Sequence, residues 1–184
     1  MRLGIDTSGP WLSLGLVHGT GAPLHSVQLM AGRRHAELLL PELEALMKRT
    51  RVRKDQLTGV VTGTGPGSYT GLRVGLAAAA GIARGLGIPH YGADSLAAAA
   101  WPLLAEGAAA WITVDARRGN VYAGCYSRTG NELVTVAAPA KVPLAELTGR
   151  ASDAGIPIVR AGPADATWLA MRAAAGQPPD AVYL

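Results

Sequence analysis

The chain contains no phenylalanine and a single cysteine, Cys125. One cysteine excludes an intrachain disulfide, and no Cys-x-x-Cys pair exists to hold zinc. That usage fits a reducing compartment. His18, His25, His35 and His90 fall on separate segments, with no His-x-x-x-His and no His-Glu-x-x-His pattern. Without such a pattern no metal site is expected. No Gly-x-Ser-x-Gly elbow is present, which argues against an acyl-transfer hydrolase. The apolar run from Leu76 to Ile82 is short and interrupted by Gly81, so it does not span a membrane. The opening Met1–Gly9 is broken at once by Asp6-Thr7-Ser8 and does not read as a signal peptide. Together these absences predict a soluble cytoplasmic protein with no membrane contact.

What is present is a core-forming composition. Of 184 residues, 49% are hydrophobic, enough for one or two small globular domains. The formal charge is +4. The concentrated basic stretch comprises Arg33, Arg34, Lys48, Arg49, Arg51, Arg53 and Lys54. It reads either as an RNA or acidic-partner surface, or as solvated helix ends whose cations offset the helix dipole. The second is the plainer reading.

Along the chain, Arg2–Thr7, Trp11–Val17 and Leu24–Leu29 predict three strands joined by tight turns. Leu38, Leu39, Leu43, Leu46 and Met47 then recur at helical spacing, predicting an amphipathic helix over 35–49. Pro41 implies that this helix either starts there or kinks there. A Val-rich strand (59–63), a helix rich in Ala and Gly (70–86), a short strand (88–92) and a helix (95–106) follow. The order is β-β-β-α-β-α-β-α, that of a mixed sheet covered by helices. It is also the order of the ribonuclease-H-like lobe of actin-like ATPases. A second, similar but short lobe begins near Trp111: strands over 111–115, 121–126, 132–136 and 157–159, then a helix over 163–175. The expected domains are 1–106 and 107–184.

Three segments could carry ligand chemistry. In Thr62–Gly75 a strand runs through Gly65, Gly67 and Ser68 into a helix, where backbone amides can hold an anion. No Gly-Lys-Ser/Thr follows, so this is not a Walker A loop. A tight strand-to-helix turn explains the glycines equally well. Asp6, Thr7 and Ser8 end the first strand and could face a nucleotide, or simply close a turn. Asp115-Ala116-Arg117-Arg118 reads as a surface ion pair or a phosphate contact. Cys125, in a predicted strand, reads as a buried structural thiol.

Four segments together resemble the TsaB (YeaZ) family: Gly4–Ser8, His35–Pro41, Gly63–Gly75, and Asp115–Arg117 followed by Val121-Tyr122. Gly-Pro-Gly-Ser-Tyr-Thr-Gly-Leu-Arg is the most specific of them. The resemblance covers roughly residues 1–126. It departs from the family at Asn120, where glutamate is usual, and after residue 140, where the later segments are hard to locate. It implies an α/β actin-like, ribonuclease-H-like fold of two lobes, the second short. It also implies a non-catalytic subunit that binds TsaD, with the ATPase TsaE, in N6-threonylcarbamoylation of adenosine 37 in tRNA. TsaD carries a His-Met-Glu-Gly-His metal site; the corresponding stretch here, Tyr91–Ala98, has no His and no Cys. The resemblance further implies that the two long helices form the face that pairs with TsaD or with a second copy. The residues it points to are His35, Leu38, Leu39, Leu43, Leu46, Leu72, Arg73, Gly75, Leu76 and Ala79. It implies no tightly bound cofactor, ATP or ADP only at a complex interface, and indirect contact with tRNA; read from the residues, the nucleotide-binding candidates are Asp6, Thr7, Ser8, Gly65, Gly67 and Ser68. Two other readings stand beside it: a small actin-like nucleotide-binding protein or ATPase, and a metallopeptidase.

Overall fold

The computed structural model describes residues 1–172. The first lobe is a five-stranded sheet in the order β3-β2-β1-β4-β5. Strands β1 (Arg2–Asp6), β2 (Trp11–Val17) and β3 (Pro23–Met30) form an antiparallel meander, and β4 (Gly59–Gly63) and β5 (His90–Ala93) add in parallel. Parallel neighbours need crossovers. Helix α1 (His35–Thr50) provides the first and α2 (Tyr69–Leu86) the second. Strand alternation sorts the side chains. Leu3, Ile5, Leu12, Leu14, Leu16 and Val60 meet Leu39, Leu43, Leu46, Ala79 and Ala83 of the two helices in one buried cluster.

The other face of the same sheet carries Gly4 and Gly15, and there α5 (Ala166–Met171) packs. A side-chain carbon on Gly15 would lie 2.5 Å from the Thr167 nitrogen, and one on Gly4 1.9 Å from the Ala166 oxygen. Only hydrogen leaves room for that helix. Its cap, Asp165, accepts hydrogen bonds from the Thr167 and Trp168 amides. Thus a helix from the end of the described chain completes the first lobe.

The second lobe repeats the first. Strands β6 (Ala109–Asp115), β7 (Asn120–Thr129) and β8 (Glu132–Pro143) form a meander; α4 (Leu144–Ala154) crosses over; β9 (Ile158–Arg160) pairs with β6 in parallel. The order β8-β7-β6-β9 matches β3-β2-β1-β4. The segments beyond residue 140 are therefore the end of β8, α4, β9 and α5.

Several element bounds differ from the sequence reading. Helix α1 starts at His35 with Pro41 inside it, so it does not start at the proline. Helix α3 (Ser95–Ala100) is shorter than the predicted 95–106, because Pro102 turns the chain into a single 3-10 turn. Strand β8 runs on through Pro139 to Pro143; it is an edge strand, where proline's missing N–H costs no ladder bond. Helix α4 was not predicted: Gly149, Thr148 and Ser152 weaken its signal, and only Leu147 and Ala151 are buried. Of the predicted 163–175 helix, α5 is observed; residues 173–175 and the rest of the expected second domain to 184 lie outside the described residues. Among the described residues, no helix is long and apolar enough to cross a membrane.

Candidate functional site: the cleft between the lobes

The two equivalent hairpins, β1–β2 and β6–β7, face each other across a cleft of about 870 Å³. Asp6 closes β1 and Asp115 closes β6. The loop from β4 into α2 and the start of α3 complete its walls.

On the first side the polar groups are spent on one another. Asp6 is 3% exposed. Its Oδ1 accepts from the Ser8 amide at 3.0 Å and the Ser8 hydroxyl at 2.8 Å; its Oδ2 accepts from the Ser95 hydroxyl at 2.6 Å. Burial raises its pKa above the usual carboxylate value, while the Ser95 and Ser8 hydrogen bonds pull it down. Ser95 Oγ in turn accepts from the Gly65 amide at 3.0 Å. Thr7 is buried and donates to the Gly71 carbonyl at 2.7 Å, fixing α2 to the sheet. The Ser68 amide donates to the Ser8 carbonyl at 2.6 Å. Ser68 itself is the cap of α2, accepting from the Gly71 amide. Gly67 lies so close to the Ser8 carbonyl that a side-chain carbon would sit 2.2 Å from it. The structure thus brings Asp6, Thr7, Ser8, Gly65, Gly67 and Ser68 together. It joins them as a latch between β1, the glycine-rich loop and α3.

The opposite side is open. Asp115 is exposed, and its Oδ1 accepts from the Arg117 amide at 2.8 Å. Arg117, Arg118 and Gly119 take left-handed backbone angles in succession, with φ of 64°, 54° and 74°. Non-glycine residues pay about 1–2 kcal/mol each for that conformation. Asn120 secures the turn by donating to the Arg117 and Arg118 carbonyls. Arg33, Arg117 and Arg160 line the cleft, with Trp11 and Tyr122. Sequence reading missed Arg33 and Arg160 as cleft residues, because only the fold brings them to the hairpins.

Between the lobes, Tyr126 of β7 is fully buried and donates to Asp94 Oδ2 at 2.6 Å, while Asp94 Oδ1 caps α3. Burial raises the Asp94 pKa, as it raises that of the Tyr126 phenol, which the Asp94 charge raises further. Cys125 is buried, and desolvation pushes its thiol up. Among the described residues no group of three or more His, Cys, Asp and Glu is placed to hold a metal ion.

The expected partner-face residues divide in two. His35, Leu39, Leu43, Leu46, Leu72, Gly75 and Ala79 turn inward and are buried within the lobe. His35 meets the Trp11 carbonyl at 3.1 Å. A side-chain carbon on Gly75 would lie 2.4 Å from Thr7 Oγ1. Leu38 and Leu76 are partly covered, and Arg73 is exposed, its guanidinium over the Tyr69 ring at 4.1 Å. The outward surface of the same helices is carried by Ala36, Leu40, Ala77, Ala80 and Gly81, with Leu40 57% exposed.

A duplicated meander-helix-strand unit with a cleft between its copies defines a two-lobed actin-like protein of the ribonuclease-H-like class. A family model described as "TsaD: tRNA N6-adenosine threonylcarbamoyltransferase" matches residues 28–172. The chain is 32% identical over 145 residues to the Bacillus subtilis tRNA threonylcarbamoyladenosine biosynthesis protein TsaB, covering 78% of this chain and 62% of that protein. It is 36% identical over 121 residues to an uncharacterized Mycobacterium tuberculosis protein, covering 65% of this chain and 56% of that one. The solved structure of YeaZ from Pseudomonas aeruginosa superposes with a TM-score of 0.82 at 25% identity, covering 100% of this chain and 99% of that one. The chain therefore belongs to this family, in its TsaB (YeaZ) branch. Its matches span little more than half the length of these curated relatives.

Proposed function

We propose that this chain is the non-catalytic subunit that binds a TsaD-type transferase, with TsaE, and supports N6-threonylcarbamoylation of adenosine 37 in tRNAs that read ANN codons. The observation that carries this reading is the fate of the polar groups at the start of α3, where the catalytic relative has its metal-ligand segment. Here that segment is Tyr91–Ala98, and its polar side chains Asp94 and Ser95 are consumed in capping α3, holding Tyr126 and latching Asp6. Groups so engaged hold the lobes together instead of holding a reactant. The partner surface is then the outward face of α1 and α2, around Leu40, Ala77 and Ala80, used either by TsaD or by a second copy. ATP or ADP would enter only at the interface of the complex.

The test is a reconstituted transfer assay on unmodified tRNA. The chain alone is expected to transfer nothing, and its addition to the catalytic subunit is expected to restore activity. Transfer by the chain alone, or no change on adding it, contradicts the proposal. A second reading, a nucleotide-binding protein in its own right, draws support from the arginines of the cleft. Calorimetric titration with ATP and ADP decides it, and no heat at millimolar nucleotide removes it.

A further inference from the structure

The crossovers run antiparallel to the strands they join, so the C-terminal ends of α1 and α2 lie together at the end of the first lobe remote from the cleft. Met47, Val52, Leu57, Ala83 and Leu86 pack in one cluster beneath them. Above that cluster stand Lys48, Arg49, Arg51, Arg53 and Lys54 from α1 and its exit, and Arg84 from α2, all exposed. Arg2 begins β1 at the same end, and its Nε is buried without a hydrogen-bond partner. The carboxylate among them is Asp55, which is held by Arg53 at 3.1 Å. From Lys48 to Asp55, with Arg2 and Arg84, seven cationic side chains stand against one carboxylate, +6 at this end, or +5 with Glu44 one turn before Lys48, on a chain whose formal charge is +4. The rest of the molecule is therefore net negative.

Helix dipoles do not account for it. Two helix ends offer about half a negative charge each, so roughly one cation is explained. Lys48, Arg49, Arg51, Lys54 and Arg84 form no ion pair among the described residues. Arg51 also holds a left-handed φ of 57°, a position that favours glycine, and so presents a guanidinium at a backbone cost. The large exposed apolar side chains, Leu40, Tyr69 and Met30 among them, all lie elsewhere. A protein interface needs an apolar centre; a surface of unpaired cations without one suits a phosphate backbone.

We infer that this basic end binds the phosphate backbone of RNA directly. The inference goes beyond the proposed function, which leaves tRNA contact indirect, and it stands on charge placement alone. The probe is an unmodified tRNA transcript titrated with the full chain, by fluorescence anisotropy between 50 and 200 mM salt. The comparison is a triple variant, Arg49→Ala, Arg51→Gly and Lys54→Ala, chosen from exposed positions. The wild type should bind with steep salt dependence. The variant should bind at least about tenfold more weakly, with a log–log salt slope shallower by roughly 2 to 3. A cleft variant, Arg117→Ala with Arg160→Ala, should bind as the wild type does. No wild-type binding at 50 mM salt, or a triple variant with unchanged affinity and slope, overturns the inference. So does a triple variant that keeps RNA binding but loses the catalytic subunit, which would make this end a protein contact. Because RNA binding and complex formation are read separately, failure here is distinct from failure of the proposed function.

Discussion

The two hairpins that face each other across the cleft occupy the same place in a repeated topology, yet they have opposite characters. In β1–β2 the terminal aspartate is buried, and three serine donors saturate it. In β6–β7 the equivalent aspartate is exposed, and the turn beside it holds two arginines in left-handed conformation. One side has become part of the frame; the other has kept side chains free to meet a ligand at the expense of backbone strain. Topological equivalence therefore says little about which side can meet a ligand, and the hydrogen-bond partners decide it.

The largest expected effect comes from breaking the first side. A side-chain carbon on Gly63 would lie 1.9 Å from Asp6 Oδ2 and 2.5 Å from Ser95 Oγ. Gly63→Ala should cost about 3 kcal/mol or more, read as a fall in the urea midpoint. An unchanged midpoint would mean that the latch is loose.

Next is the pH response of the same side. The pKa of Asp6 is raised in the folded chain, so the native state binds a proton that the unfolded chain has already released. Its contribution to stability is full below the unfolded value and is lost as pH rises through the folded value. Asp6→Asn should flatten that decline in urea midpoints taken from pH 4 upward, and a variant that tracks the wild type at every pH would contradict it. Asp94, raised for the same reason, contributes in the same direction and remains in the variant.

Tyr126→Phe tests the bond that ties the two sides together. It strips Asp94 Oδ2 of its donor inside the interface. A loss of about 1–3 kcal/mol is expected, and no loss would show that the lobes are held by apolar packing alone. The smallest effect belongs to the second side. Arg118→Gly relieves one left-handed residue and should raise stability by about 1 kcal/mol, seen as a higher Tm. A lower Tm would show that the turn is held without strain.

Much of the first lobe is legible in the sequence because each element carries its own period: alternation in Trp11–Val17, helical spacing from Leu39 to Met47, glycines where β4 turns into α2. The second lobe is less so. Its topological repeat shares with the first lobe the aspartate that closes the first strand, Asp6 and Asp115, but α4 buries only two side chains, and β8 runs through prolines that an edge strand tolerates. The site was half legible. Asp6, Ser8 and the glycine-rich loop are visible as motifs, but the group that saturates them, Ser95, lies 89 residues away. The helix-face residues show the same limit. Periodicity finds the apolar stripe, and on these helices the stripe faces the sheet, so the surface left for a partner belongs to Leu40, Ala77 and their small neighbours.

The central claim is that the chain works through that outward helix face. The most direct measurement is light scattering on a size-exclusion column, with the catalytic subunit present, for the wild type and for Leu40→Asp with Ala77→Arg. Both substitutions are exposed and should leave the Tm within a degree or two. The account predicts a heterodimer for the wild type and separate species for the variant. A variant that still forms the complex, or a wild type that never does, would contradict it.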